Sequence, residues 1–408
     1  MYLKELSLYF KLLRILNNLT IEEVAQKLYV SKSQYHRLEM GEYEFEDDYI
    51  KSLCLLYNIK ELQPFDETII QSIDKTISCL FNDMNKHQEV VIPKGLEDIT
   101  QLEHINLPYR IYHRYIQKFV LYERDDEFFE LSKILFKLID GFPLDYQSLF
   151  YALYGFALKQ QGNILEAEQY IKKASNIGHS SDLVKGLFSN YLLSIYTKQE
   201  KFDEAMQMYE EAKMIFSKYQ WKYRLININM LLANLYSKMN LPYHSIEQDK
   251  ETLTLLSKND YGNLYIIYHN ISYEYCRLKD YKQSIKYNLM ASNYEKTSEN
   301  YFDLAWCYYQ LKDFDEAKKH LVLLEKESFK IPYYYEFAKW LLEMIKSPYS
   351  ARCLKVLKRI ERKYSDTMAK DECEFLHIQL FECYKQRKEL ELALEYATKL
   401  IQEKPAIR

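Results

Sequence analysis

TIEEVAQKLYVSKSQYHRLEMG, residues 20–41, carries two helix-start signals eleven residues apart. Thr20 with Glu23 three positions on is a capping box, in which side chain and backbone satisfy each other's orphan groups. Ser31 is a second N-cap. Val24, Ala25, Leu28, Tyr35 and Leu38 fall on inward faces, and Ala25 is small where two helices must cross closely. Lys32, Ser33, Gln34, His36 and Arg37 are left pointing outward. The stretch predicts two short helices, a tight turn at Leu28-Tyr29-Val30 and a stop at Met40-Gly41, with Gly41 left-handed.

Upstream, Leu3, Leu6, Phe10, Leu13 and Leu16 recur at helical spacing, and Asn17-Asn18 ends that helix. Downstream, Glu46 to Tyr57 predicts a fourth helix buried through Ile50, Leu53 and Leu56. Pro64 breaks the chain, which sets a first domain at 1–64 and a linker at 65–107. Within the linker, Asp66 caps a helix with Ile69, Ile73, Ile77 and Leu80 on one stripe. That stripe fits packing on the rest of the chain or pairing with a second copy, with the dimer contact favoured. Residues 85–107, holding Pro93 and Gly95 and followed by Pro108, predict an irregular joint.

Residues 108–408 repeat. YLLSIYTKQEKFDEAMQMYEEA, NISYEYCRLKDYKQSIKYNLMA and DLAWCYYQLKDFDEAKKHLVLL share one plan: a helix, a polar turn, then a second helix opening near a small residue. That residue is Ala167, Ala205, Ser245, Ser284, Ala317 and Ala393, spaced by 38, 40, 39, 33 and 76 residues. The last gap holds one more pair near 333–364, and an earlier pair is expected at 109–139. Gly155, Ala233, Ser272 and Ala305 supply the facing small residue on the first helix.

Composition agrees with an all-α chain. Gly and Pro number 8 each, far below usual usage, so few turns are expected to need φ > 0. The net charge of −4 argues against a wholesale nucleic-acid binder and confines any such contact to a local patch. Residues 1–41 hold six Lys/Arg against four acids, and 42–48 then hold five acids. Phosphate contacts are therefore expected to be few and a single domain weak. Seven scattered cysteines without a CxxC pair fit reduced thiols in the cytoplasm. Residues 1–18 lack a long apolar core and a small-residue cleavage site, so no signal peptide is expected, and without an 18-residue apolar run no membrane span is expected. There is no GxxxxGK[ST], no HExxH and no metal-spaced Cys/His cluster, so neither an enzyme, a cofactor nor a metal is expected.

The pattern of Thr20, Glu23, Ala25, Leu28, Val30, Ser31, Ser33, Arg37, Leu38, Glu39 and Gly41 resembles the helix-turn-helix domain of Xre/Cro/C1-type repressors. Two departures are Tyr29, where that family usually has Gly, and Ile21, where it often has Gln. The resemblance implies that the second short helix enters the major groove of double-stranded DNA. Lys32, Ser33 and Arg37 would then face base edges, an Arg or Lys suiting guanine. Ser31, Gln34 and His36 would touch phosphates or flank the bases.

The repeats resemble tetratricopeptide repeats, whose period is about 34 residues, in a divergent, longer class. That implies a right-handed α-solenoid with a concave face built by the first helices. The family's register places Asn190, Lys198, Asn227, Asn234, Lys238, His269, Tyr273, Arg277, Phe302, Trp306 and Tyr309 on that face. Asparagines can pair with both polar groups of a peptide unit. Arg224, Lys238 or Arg277 could hold a terminal carboxylate. The two-part architecture resembles the RRNPP peptide-pheromone regulators, the Rgg, PlcR and PrgX proteins. It implies a cytosolic homodimer that binds DNA and is switched by a short signalling peptide in the groove. The rival reading is a repressor or adaptor whose repeats bind a partner protein.

Overall fold

The computed structural model describes residues 3–82, 102–121, 123–177, 181–326 and 331–403. Among them are 21 α-helices and no strand. The first four are α1 (Leu3–Leu16), α2 (Ile21–Lys27), α3 (Lys32–Glu39) and α4 (Asp47–Leu56). α5 (Thr68–Asn82) follows, and then the pairs begin. These are α6 (Leu107–Val120) with α7 (Asp126–Leu138), α8 (Leu144–Gln160) with α9 (Ile164–Asn176), and α10 (Asp182–Lys198) with α11 (Phe202–Lys218). α12 (Lys222–Lys238) and α13 (Pro242–Leu253) come next, then α14 (Tyr261–Arg277) with α15 (Tyr281–Ser292). The array ends with α16 (Ser298–Gln310) and α17 (Phe314–Lys326), α18 (Pro332–Lys346) and α19 (Ala351–Tyr364), and α20 (Lys370–Gln386) and α21 (Leu390–Glu403). The chain is thus all-α, a helix-turn-helix domain followed by tetratricopeptide-like pairs. By packing it forms two compact units, Met1–Met239 and Asn240–Arg408.

The pairs close because small residues meet where the helices cross. Ala167, Ala205, Ala317 and Ala305 are fully buried, and Ser272 and Ser284 nearly so. A Cβ on Gly155 would lie 2.7 Å from Ile171 Cγ1 and 2.9 Å from the Ala167 carbonyl oxygen. In the pair α14–α15 the Ser272 hydroxyl donates to the Ser284 carbonyl at 2.9 Å, so even the polar small residues are spent inside the crossing.

The turns differ from expectation. Among the described residues ten non-glycines take φ between 53° and 64°, including Tyr29, Glu200, Asn240, Lys279, Lys312 and Lys388. Each left-handed side chain costs about 1 kcal/mol. What offsets it is a repeated hydrogen-bond pair. Lys201 N–H donates to the Tyr196 carbonyl at 2.9 Å and Glu200 N–H to the Thr197 carbonyl at 3.3 Å. Asp280 with Lys279, and Asp313 with Lys312, do the same. These are Schellman ends, which satisfy orphan carbonyls and reverse the chain. Asp280 and Asp313 then accept from the amides of Gln283 and Glu316, both at 3.2 Å, so the next helix starts at once. Scarcity of glycine did not mean scarcity of positive φ.

The α5 stripe is covered by its own chain, which overturns the favoured dimer contact. Ile69 and Ile73 are fully buried and Thr76 nearly so, because α5 packs on α6 within the first unit. The side chain of Leu80 and the expected joint from 85 to 101, with Pro93 and Gly95, lie outside the described residues. Where description resumes, Asn106 clamps the entry to α5: it accepts from Asp66 N–H at 2.9 Å and donates to the Asp66 carbonyl at 2.8 Å.

Thr76 also meets His113 of α6, hydroxyl oxygen to Nε2, at 2.7 Å. Burial pushes His113 down from 6.5 to about 4. Between those values the unfolded chain takes up a proton that the native imidazole refuses. Stability therefore falls as pH drops from 6.5 through 4, by up to about 3 kcal/mol. Urea midpoints measured across this range should fall more steeply for the wild type than for His113→Gln. Equal slopes would refute the assignment.

Candidate nucleic-acid interface and ligand groove

The helix-turn-helix is assembled by the caps that the sequence predicts. Thr20 Oγ1 accepts from Glu23 N–H at 3.2 Å, and Thr20 N–H donates to Glu23 Oε2 at 2.7 Å. Ser31 Oγ accepts from Gln34 N–H at 3.1 Å. Val24, Ala25, Leu28, Tyr35 and Leu38 are buried. Tyr29, with φ 54°, is 97% exposed, so its side chain gains nothing from packing to offset the strained backbone.

All six expected DNA-facing residues, Ser31, Lys32, Ser33, Gln34, His36 and Arg37, are exposed on α3 and its cap. Both of the lysine/arginine cations among them have an acidic neighbour. Lys32 Nζ lies 3.4 Å from Glu22 Oε2. Arg37 donates to the Tyr43 hydroxyl at 2.7 Å and lies 3.7 Å from Glu42. These pairs are solvated, worth at most about 1 kcal/mol each, so a phosphate or guanine edge can replace the carboxylates.

Sequence reading missed what holds α3 in place. Arg14 on α1 grips Glu39 at the end of α3 with both prongs, Nε to Oε1 at 2.6 Å and Nη2 to Oε2 at 2.9 Å. Its remaining prong donates to the Leu19 carbonyl at 3.0 Å. The Glu39 side chain is only 2% exposed. Burial first, then the Glu39 carboxylate, push the Tyr35 phenol far above its ordinary value. The signal was present, an Arg on an otherwise apolar helix face and a Glu among the family-like positions, but nothing in one sequence pairs them.

The groove residues divide. Asn227, Asn234, Lys198 and Lys238 are exposed, and Asn227 and Asn234 stand two turns apart on one face of α12. Asn190 and Arg224 are 3% exposed, so neither offers an edge to a ligand; their helices turn them into the core. In the second unit Tyr273 is 37% exposed. Arg277 is spent on Glu274, at 2.9 Å, and on Asn240 Oδ1, at 2.9 Å, rather than open to a carboxylate. Trp306 stacks on Trp340, centroids 5.8 Å apart, and meets Phe375 edge-on at 5.1 Å, so it belongs to the packing between pairs. His269 faces Glu299 at 3.4 Å and stacks on Tyr265. One residue was overlooked. Lys159 on α8 donates to the Ser194 hydroxyl at 2.5 Å, and burial first, then Lys198, lower it to about 8. Among the described residues no carboxylate is paired with Lys159.

Residues 10–63 match the helix-turn-helix family profile, and residues 192–219 and 298–323 match that of the tetratricopeptide repeat. The chain therefore carries a helix-turn-helix domain joined to tetratricopeptide repeats. Its fold is similar to the apo form of the quorum sensor NprR from B. thuringiensis, with a TM-score of 0.65 at 15% identity over 83% of this chain and 99% of that one. It is also similar to a Rap protein complexed with competence and sporulation factor, TM-score 0.62, 15% identity, 83% and 98% covered. The apo form of RapI gives 0.62 at 13% identity, with 82% and 97% covered. No curated protein sequence matches the chain significantly. No enzyme family is indicated. Among the described residues no helix is long and apolar enough to cross a membrane.

Removing Arg14 would strand a buried carboxylate, which costs about 3–5 kcal/mol. Arg14→Met should lower stability by that amount in urea titrations, and adding Glu39→Leu should recover most of it. A single-variant loss below about 1 kcal/mol would show that the pair is not what fastens α3.

Proposed function

We propose that this protein is a cytoplasmic transcriptional regulator that binds DNA as a homodimer and is switched by a short peptide held by its repeats. The observation that carries this reading is the joining, in one chain, of a helix-turn-helix whose polar face is wholly exposed to repeats with the fold of a quorum sensor. Lys32, Ser33 and Arg37 are the base-reading residues in this proposal, with Ser31, Gln34 and His36 on the backbone. Asn227 and Asn234 hold peptide units, and the Lys159–Lys198 pair takes a terminal carboxylate, the counter-charge that two crowded cations lack.

With the weak basic balance of the first domain, dimer formation supplies affinity that one domain lacks. Peptide binding shifts occupancy only in so far as the peptide prefers one dimer state over another.

Fluorescence anisotropy with duplexes from the DNA upstream of its own reading frame tests the first half. Arg37→Ala should weaken specific binding by about 1–3 kcal/mol, whereas Glu42→Gln should tighten it by freeing Arg37. No binding by the wild type at low salt would sink the DNA reading.

For the second half, short peptides that co-purify with the protein, identified by mass spectrometry and resynthesised, are the probes. Asn227→Ala with Asn234→Ala should lower peptide affinity about tenfold or more, at roughly 1 kcal/mol per lost hydrogen bond. Lys159→Met should abolish the preference for a free over an amidated C-terminus. Unchanged affinity in the double variant would place the peptide elsewhere.

A further inference from the structure

Four acid–base side chains converge in the second unit, on a set of helices that the regulator reading does not need. His269 lies on α14. Glu299 and Asp303 lie on α16, one turn apart and so on one face. Ligand atoms of these three all fall within 4.8 Å of one another. Glu372, on α20, is the fourth. The Tyr334 hydroxyl reaches both Glu299 and Glu372, and Tyr333 donates to Glu372 at 3.3 Å. Three carboxylates thus share a partly buried space with one imidazole.

Two details point to a cation. The His269 Nε2 to Glu299 Oε1 separation is 3.4 Å. That is long for a charge-assisted hydrogen bond, which runs to about 2.7–2.9 Å. It equals the roughly 3.4 Å between two ligands bound about 2.1 Å from one tetrahedral metal. The second is that His269 Nδ1 is buried with no hydrogen-bond partner, a ring nitrogen left open at the cluster. Metal sites between packed helices are likewise built from carboxylates and imidazoles that project from facing helices. The His269 and Glu299 side chains keep 16% and 35% exposure, which leaves an entry path.

We propose that His269, Glu299 and Asp303 bind a divalent transition-metal ion, with Glu372 behind them, linked to Glu299 through the Tyr334 hydroxyl. One imidazole nitrogen among carboxylate oxygens selects the Mn2+ to Zn2+ range over Mg2+ and Ca2+, which take oxygen alone. The ion ties α14 to α16, two neighbouring pairs of the array, and neutralises charge that their packing brings together. This site goes beyond the expectation of no metal. It is also independent of the peptide reading, since it is assayed with no peptide present.

The test is a titration of the full chain with Co2+, followed by visible d–d absorption, with Zn2+ as competitor. The wild type should saturate at one equivalent, without the near-ultraviolet thiolate band that would mark Cys276 or Cys307 as ligands. His269→Gln and Asp303→Asn should each weaken Co2+ binding by about 100-fold, at or beyond what outer-shell substitutions cost. Zn2+ should raise the thermal midpoint of the wild type and not of the variants. If a variant fails to fold, the wild-type spectrum and stoichiometry decide. No saturable binding, a thiolate band, or binding that survives both substitutions overturns the site.

Discussion

The close crossing of two helices at small side chains is the constraint on which the array rests. Gly155 against Ala167 leaves no room for a methyl group, and Ser272 against Ser284 converts the same approach into a hydrogen bond. Once the crossing is that tight, the two helices of a pair must be joined by a reversal of very few residues. A Schellman end followed at once by an N-cap is the shortest such reversal, and the chain uses it repeatedly at Lys279-Asp280 and Lys312-Asp313. The left-handed lysine is the cost of that short turn, and the small residues are why it is required.

This separates what a single sequence shows from what it hides. Small residues spaced 33–40 residues apart announce the pairs, and the caps at Thr20 and Ser31 announce α2 and α3, because each signal is local and repeats or has a fixed spacing. Positive φ at Lys279 or Lys312 is hidden, since lysine carries no left-handed preference, whereas at Tyr29 the glycine usual in the resembling family points to it. The repeat register at Asn190, and the choice of Arg224 for a carboxylate, meet buried side chains for a related reason. A helix flanked on both sides turns polar residues inward when neighbouring helices cover them, and periodicity cannot say which neighbour arrives.

Pairings across the chain are hidden most completely. Arg14 and Glu39 are 25 residues apart, and His269 and Glu299 are 30 apart on different helices. In the first case a bidentate ion pair fixes the helix that would meet DNA. In the second the acidic cluster lies on three separate helices. The one local trace was Glu299 with Asp303, four residues apart, and that spacing alone is ordinary on any solvated helix.

The electrostatics of the first domain follow from these placements. Glu39 is buried and neutralised by Arg14, so it takes nothing from the exposed face. The acids that do act on that face are Glu22 and Glu42, beside Lys32 and Arg37. They hold the two cations in solvated pairs that can open, so in the proposed reading DNA would displace carboxylates before it gained phosphate or base contacts. Each displacement subtracts a few tenths of a kcal/mol to about 1 kcal/mol from a contact worth about 1–3 kcal/mol. In that reading a single domain would be left with little net affinity. The first domain itself is not loosely tethered, because α1 packs on α6 and α7 and the Leu8 side chain closes over Gly141, where a Cβ would come within 2.7 Å. Arg14 and Glu39 in turn join α1 to α3, so side-chain contact runs without a break from the first pairs to α3.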